Sequence, residues 1–277
     1  SIIAAGDVSL GQSTDISGDL TAGGSITMEQ NAEVTGNVSY GGTADIDGKA
    51  VIGGTLTGDA QVTPPDAVDW LIDLRRNQFS KTNDNSVAAI DGSNQLTGCG
   101  PGCTLPAGNY YLDEMEVGNN EELVLDTTSG NVNVVVDGDA DLQQGTVRVT
   151  GNNTARIYME GDLLLRQSDV LVPDERAPGL WIYMNPGASV PLFKQTRFVG
   201  VIYGPGDGAQ AGVDIQIATD NDVFGGMVGV PSSIGQTTNI HFDEALAAEK
   251  PLGTFGDNKP AVTYMHVTVN RVNVSSR

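Results

Sequence analysis

Basic residues are scarce in this sequence. Lysine and arginine together number 14 against 35 aspartates and glutamates, so the formal net charge is −21 and the pI is near 4.1. A field of this sign repels nucleic acid and anionic lipid, which excludes both as partners. At molar salt the Debye length falls to about 3 Å, which screens the self-repulsion of the carboxylates. The charge balance therefore predicts a halophilic source; a disordered acidic chain is the alternative, but 39% hydrophobic residues argue against it.

Only two cysteines occur, Cys99 and Cys103, and a Gly-Pro-Gly tripeptide separates them. This tripeptide favours a tight turn that brings the two Cβ atoms together. Half of a metal site is the alternative, but no second cysteine pair exists to complete it. The pair therefore predicts a disulfide, which suits an oxidising, extracellular location.

Long apolar runs are absent. No stretch approaches the ~18 residues of a membrane span, and no signal peptide precedes the first repeat. We therefore expect an export or anchoring segment to be missing, and membrane contact only through such an N-terminal anchor. Three N-glycosylation sequons agree weakly with a cell-surface location. Their asparagines are Asn37, Asn152 and Asn273.

Aromatic residues are few, at 5%, whereas glycine is abundant, which favours short strands and tight turns over helices. From Gly18 to Gly54 a glycine recurs at every sixth position, with Gln30 as the one exception. Each hexad also carries apolar residues at i and i+2, on one face of a short strand. Three hexads, or about 18 residues, would form one turn of a triangular β-helix. A meander of hairpins, the alternative, would need turn signals every 8–12 residues.

The repeat ends at a segment with helix signals, residues 63–76. A threonine and two prolines open it and two arginines close it, as in a capped helix. Ala67, Trp70, Leu71 and Leu74 lie at helical spacing. We expect this stripe to pack on the flank of the solenoid; docking of a partner is the alternative.

The predicted fold is all-β. It is a β-helix, or solenoid, with about 18 residues per rung in the N-terminal repeats and one inserted amphipathic helix. We divide the chain into hexad-repeat rungs at 1–62, a helix and disulfide-loop insertion at 63–105, and a continued β-helix at 106–277. Strand-like runs in the last part have a spacing looser than six, which indicates longer turns. A terminal strand is predicted at 262–274.

No catalytic motif occurs in the sequence, and the two histidines, His241 and His266, lie in strand-like stretches. Some polysaccharide-degrading enzymes are β-helices, but the few scattered basic residues cannot hold an anionic sugar chain. We expect no enzymatic activity and no cofactor, with calcium as the one candidate ligand. Asp137, Asp139 and Asp141 would project from one strand face, where calcium could bridge them. A solvated acidic face is the alternative.

Several stretches resemble known surface proteins. They are residues 105–112 (LPAGNYYL), 198–205 (FVGVIYGP), 240–246 (IHFDEAL) and 263–270 (TYMHVTVN). They resemble a family of haloarchaeal surface proteins with an N-terminal type IV pilin-like membrane helix and an extracellular β-helical domain. The first sixty residues resemble bactofilin-like proteins, which polymerise end to end through their β-helix caps. Neither resemblance implies a catalytic residue.

These observations predict a non-enzymatic, extracellular structural protein of a halophile. It would be a pilin-like surface or filament subunit that associates with itself or with other surface proteins. Residues 1–5 or the strand 262–274 would pair with a neighbouring copy, or cap their own chain instead. The alternative function is a cell-surface adhesin that recognises glycans or another cell surface. Its candidate aromatic residues are Tyr40, Trp181 and Tyr183, each of which could equally serve in packing.

Overall fold

Two stacks of parallel strands, with one α-helix between them in the sequence, make up the described part of the chain. The computed structural model describes residues 2–4, 7–11, 15–16, 18–61, 68–100, 102–206, 212–234, 239–243 and 245–246. Strand pairing is parallel in both stacks, as in the columns that begin at Ile2 and at Gly108. The predicted all-β solenoid with a single inserted α-helix is therefore confirmed.

The first solenoid has three faces. The first face contains β1 (Ile2–Ala4), β4 (Leu20–Ala22), β7 (Val38–Tyr40) and β10 (Leu56–Thr57); the second contains β2 (Val8–Leu10), β5 (Ile26–Met28) and β8 (Ala44–Ile46); the third contains β3 (Asp15–Ile16), β6 (Glu33–Val34) and β9 (Val51–Ile52). Ile2, Leu20, Val38 and Leu56 lie directly above one another. Ladder contacts at a separation of 18 residues confirm the predicted rung length.

Close approach between rungs explains one part of the glycine repeat. A Cβ atom on Gly36 would lie 2.7 Å from the carbonyl oxygen of Gly18 in the rung below. Gly18 has a positive φ of 117°, whereas the φ of Gly36 is not positive. Backbone freedom therefore accounts for Gly18 but not for Gly36. In the structure, Gly36 is needed because a side chain would collide with the preceding rung.

Polar side chains are stacked at two corners of the first solenoid. The Asp19 carboxylate accepts the Asn37 backbone N–H at 2.8 Å, and the Asn37 side-chain oxygen accepts the Thr55 backbone N–H at 3.0 Å. A second ladder repeats this pattern from Asp7 to Ser25 and Thr43. Each ladder satisfies corner N–H groups that the strands leave unpaired.

The second solenoid also has three faces. The first contains β11 (Gln95–Leu96), β14 (Glu114–Val117), β17 (Ala140–Gln143), β20 (Leu163–Arg166), β23 (Ser189–Leu192), β25 (Asp214–Ile217) and β27 (Val230–Ile234); the second begins with β12 (Cys103–Leu105), β15 (Glu122–Asp126), β18 (Thr146–Thr150) and β21 (Asp169–Leu171); the third begins with β13 (Gly108–Leu112), β16 (Val132–Val136), β19 (Ala155–Met159) and β22 (Leu180–Met184). The second and third faces join in β24 (Arg197–Tyr203) and β26 (Asp222–Val228), and β28 (Asn239–Phe242) pairs with β26.

Turns of the second solenoid are longer, as the looser sequence spacing indicated. In most strand pairs of its central rungs, paired residues lie 23 to 28 positions apart, whereas the spacing is 19 to 20 at its first turn and 16 to 17 in the last strand pairs. β11 and β12 already belong to its sheets. The solenoid therefore begins before the predicted boundary at 106, because two very short strands inside the supposed insertion complete its first turn.

The helix α1 (Asp69–Phe79) packs on the outer surface of the third face, against β13, β16, β19 and β22. This confirms packing on the flank of the solenoid, but of the predicted apolar stripe only Leu71 is buried among the described residues. The buried residues are Val68, Leu71, Ile72 and Phe79, whereas Trp70 and Leu74 are 40% and 50% exposed. Both stripes satisfy helical spacing, so periodicity alone could not choose between them. Ala67 and the predicted caps lie outside the described residues.

The helix covers a row of aromatic side chains. Tyr158 and Tyr183 stack at 5.3 Å between ring centroids, and Trp181 stacks on Tyr183 at 5.9 Å. The three rings are at most 6% exposed. They belong to the outward-facing side of the third face, so the solenoid has apolar packing both inside and under α1.

Candidate functional site: an open solenoid end

The last rung of the first solenoid exposes residues that belong to its core. In the column of Leu20, Val38 and Leu56, the first two are fully buried and Leu56 is 46% exposed. Ile46 and Ile52 likewise end columns whose earlier members are buried, and both are half-buried. We call Ile46, Ile52 and Leu56 the end face. A rung of this size buries its apolar side chains only against neighbouring rungs, so the end face lacks a rung among the described residues.

Backbone groups are also available at this end. β8, β9 and β10 each pair with one described strand, namely β5, β6 and β7. On the other edge of these three strands, no described strand continues the sheet. Such an edge can accept an added strand through main-chain hydrogen bonds.

The rim of the end face is acidic. Asp45 lies in β8, Asp47 follows it, and Asp59 follows β10; all three are exposed. Lys49 is the only basic residue in the sequence before Arg75. The last rung therefore carries three exposed aspartates against the single Lys49, and this net negative charge favours a partner segment that is both apolar and basic.

At the beginning of the second solenoid, in contrast, side chains cap the edge of β13. The Asn85 side chain accepts the Tyr111 backbone N–H at 3.1 Å and donates to the Tyr111 carbonyl at 2.5 Å, so it replaces a strand neighbour for β13. Asp84 pairs in the same way with Asn109, through its backbone N–H and its carboxylate, both at 2.8 Å. Sequence reasoning missed these caps, although an Asx-rich stretch before a strand was their signal.

The predicted disulfide between Cys99 and Cys103 is present, with the two Cα atoms 5.0 Å apart. The Glu121 carboxylate holds its loop by accepting the backbone N–H groups of Cys99, Gly100 and Gly118 at 2.8–3.1 Å. Glu121 was not a sequence candidate, because nothing in its neighbourhood marks a carboxylate that binds a loop 21 residues earlier.

The three candidate calcium ligands do not lie on one strand face, as the sequence argument assumed. Asp137 lies after β16, in the corner that precedes β17, and only Asp141 is inside a strand. Asp139 accepts the Asp162 backbone N–H at 2.9 Å, and Asp141 accepts Arg166 Nε at 3.0 Å. Within the described ranges, no three His, Cys, Asp or Glu side chains form a group suited to a metal ion.

Asp137 instead connects α1 to the solenoid. It pairs with Arg76 of the helix and accepts the Tyr111 hydroxyl at 2.8 Å. Glu160 lies 3.8 Å from Arg76 and accepts the Asn185 amide at 2.7 Å. Burial raises the pKa of Glu160, and Arg76 opposes that shift. Burial works to lower the pKa of Arg76, but the two carboxylates raise it overall.

Titration of Tyr111 tests this cluster. Burial, the hydrogen bond to Asp137 and the negative charge around it raise the pKa of Tyr111 to about 12. Because the folded pKa is above the unfolded value of about 10, the associated stability is complete below pH 10 and is lost as the pH rises towards 12. The ultraviolet titration of the chain minus that of Tyr111→Phe reports this phenol. Asp137→Asn should lower its midpoint, whereas Glu116→Gln should not; a midpoint near 10 in the unaltered chain would contradict the structure.

The aromatic residues named for the adhesin alternative differ in how far they are buried. Trp181 and Tyr183 are buried beneath α1, and Tyr40 is half-buried. His241 lies in β28 and stacks on Phe224 at 4.5 Å, with Nε2 3.8 Å from Asp222. His266 and the predicted terminal strand lie outside the described residues.

The sequon asparagines differ in their surroundings. Asn37 is exposed, but its side-chain amide also takes part in the corner ladder with Asp19 and Thr55. Asn152 is exposed in a turn after β18. Asn273 lies outside the described residues.

Comparison with known proteins identifies a family. The sequence model of a domain of unknown function, DUF7305, matches residues 51–249, which is more than half of the chain. The chain belongs to this family. The DUF7305 span begins at Val51, in β9, so the earlier rungs of the first solenoid precede it. No curated protein and no solved structure matches the sequence significantly. In the described part of this DUF7305 member, no helix is long and apolar enough to cross a membrane.

Proposed function

We propose that this chain is a non-enzymatic, extracellular structural protein that acts by self-association, as a pilin-like surface or filament subunit of a halophile. The observation that carries the proposal is the end face, where core residues and strand edges lie open beside an acidic rim. Burying them against another chain would remove apolar area from water at about 25 cal/mol per Å².

Two other features support an extracellular, high-salt environment. The disulfide suits an oxidising exterior, and the excess of 35 acidic over 14 basic residues suits high salt. At molar salt the repulsion between two such acidic chains is screened, so apolar contacts between copies can form. The adhesin alternative loses two of its three candidate contact residues, because Trp181 and Tyr183 are packed under α1.

A single substitution tests the proposal. We expect the mass of the intact chain, measured by light scattering in molar salt, to grow with protein concentration, and Leu56→Asp to remain monomeric. Leu56 is 46% exposed, so the change should leave the fold intact, which circular dichroism can verify. Phe193→Asp is the matched control, because Phe193 is 40% exposed in the second solenoid. An intact chain that stays monomeric at every concentration would overturn the proposal.

A further inference from the structure

We infer that the end face of one copy binds the C-terminal segment of a second copy, residues 258–277, which we call the tail. The inference rests on the proposed function, since it names the part of the neighbouring chain that the end face binds. The tail lies outside the described residues; its charge and residue pattern are those of its sequence.

Charge is the first observation. The tail contains Lys259, Arg271 and Arg277 and no acidic residue, within a chain whose net charge is −21. The rim of the end face carries Asp45 and Asp47, which are exposed, and little positive charge. Opposite charges of this kind steer two surfaces together and suppress other pairings.

Residue pattern is the second observation. Residues 265–270 alternate between apolar and polar side chains: Met265, Val267 and Val269 are apolar, and His266, Thr268 and Asn270 are polar. In an extended strand the three apolar side chains share one face. Added to the open edge of β10, such a strand would direct this face onto Leu56 and supply one of the three sides of a further rung.

The symmetry of assembly favours the tail over a second end face. If two end faces met, each would satisfy the other, and association would stop at a dimer. A contact between a tail and an end face uses two different surfaces, so each added copy offers a new end face and a new tail. Only this kind of contact produces the growing filament that the proposed function requires.

A mixing experiment with two variants of the chain tests the inference. One variant lacks residues 258–277 and keeps the end face; the other carries Leu56→Asp and keeps the tail. We expect each to be monomeric alone in light scattering and their equimolar mixture to form a 1:1 complex. Phe193→Asp introduced into the tail-deleted chain is the control: it keeps the end face, so its equimolar mixture with the Leu56→Asp chain should form the same 1:1 complex.

A charge reversal tests how the tail is recognised. Introducing Arg271→Glu into the Leu56→Asp chain should weaken the mixed complex several-fold at about 1 M salt and by less at about 3 M salt, where stronger screening leaves less of the attraction between Arg271 and the acidic rim. An equal loss at both salt concentrations would overturn the charge part of the inference.

The other outcomes separate this inference from the proposed function. If the tail-deleted chain still assembles while Leu56→Asp does not, the end face binds another part of the neighbour and the inference is overturned, but the proposed function stands. If neither variant assembles and the mixture forms no complex, the tail acts only within its own chain and the inference is again overturned. If the intact chain never assembles, the proposed function fails as well.

Discussion

Replacing Gly225 by alanine is expected to lower the free energy of unfolding by about 3–5 kcal/mol, one of the largest effects available to a single methyl group. Gly225 lies opposite Gly200 where β24 and β26 bend from the second face into the third. A Cβ atom there would lie 1.9 Å from the Gly200 carbonyl oxygen, and the φ of 134° is strained for any side chain. Neither backbone can move without breaking the pairing of these two strands.

The matched control is Gly92→Ala. No heavy atom lies within 4 Å of a Cβ built on Gly92, so its change should stay within about 0.5 kcal/mol. Chemical denaturation followed by the fluorescence of the buried Trp181 measures both variants. Equal losses for Gly225 and Gly92 would show that the bend does not depend on glycine.

Ile72→Ala is expected to cost about 2–4 kcal/mol, whereas Leu74→Ala should change stability by less than about 0.5 kcal/mol. Ile72 is fully buried between α1 and the third face, and Leu74 is half exposed two residues later. Alanine favours the helix at both positions, so helix propensity does not explain a difference. The comparison isolates the packing of the helix against the solenoid.

Urea denaturation of the two variants, read by circular dichroism, measures this difference. The sequence stripe of Trp70, Leu71 and Leu74 would have predicted a large loss for Leu74→Ala as well. A larger loss at Leu74 than at Ile72 would mean that the helix is rotated relative to the structure.

The first solenoid was predictable because its signal is local and repeated. A glycine every sixth residue, with apolar residues at i and i+2, specifies the strand, the corner and the rung length together. The face of α1 was not predictable, since Val68 and Ile72 compete with Trp70 and Leu74 at the same spacing. The choice is made by the aromatic row of Tyr158 and Tyr183, which comes from strands more than eighty residues later.

The sequence predicted strand pairing at an end of the solenoid, but it did not predict which strand edge is open. The sequence argument expected pairing at the ends of the solenoid and named residues 1–5 and 262–274. The sequence did not reveal that the edge of β10 is open while Asp84 and Asn85 cap the edge of β13. Both features depend on which rungs stack on one another. The cap on β13 also depends on side chains that form the hydrogen bonds a neighbouring strand would form. The aspartates at 137, 139 and 141 illustrate the same limit: a corner separates residues that the sequence places in one run.

The corner ladders make the 18-residue rungs of the first solenoid structurally equivalent to one another. Asp19, Asn37 and Thr55 occupy equivalent positions, so removing or duplicating 18 residues would join one ladder member to another that fits the same place. Each such step would change the length of the stack by about 4.8 Å without creating a new kind of contact. The rungs before Val51 also precede the DUF7305 span, which begins at that residue. Insertion or deletion of whole rungs before Val51 can therefore change the length of the first solenoid stepwise and leave the DUF7305 span unaltered.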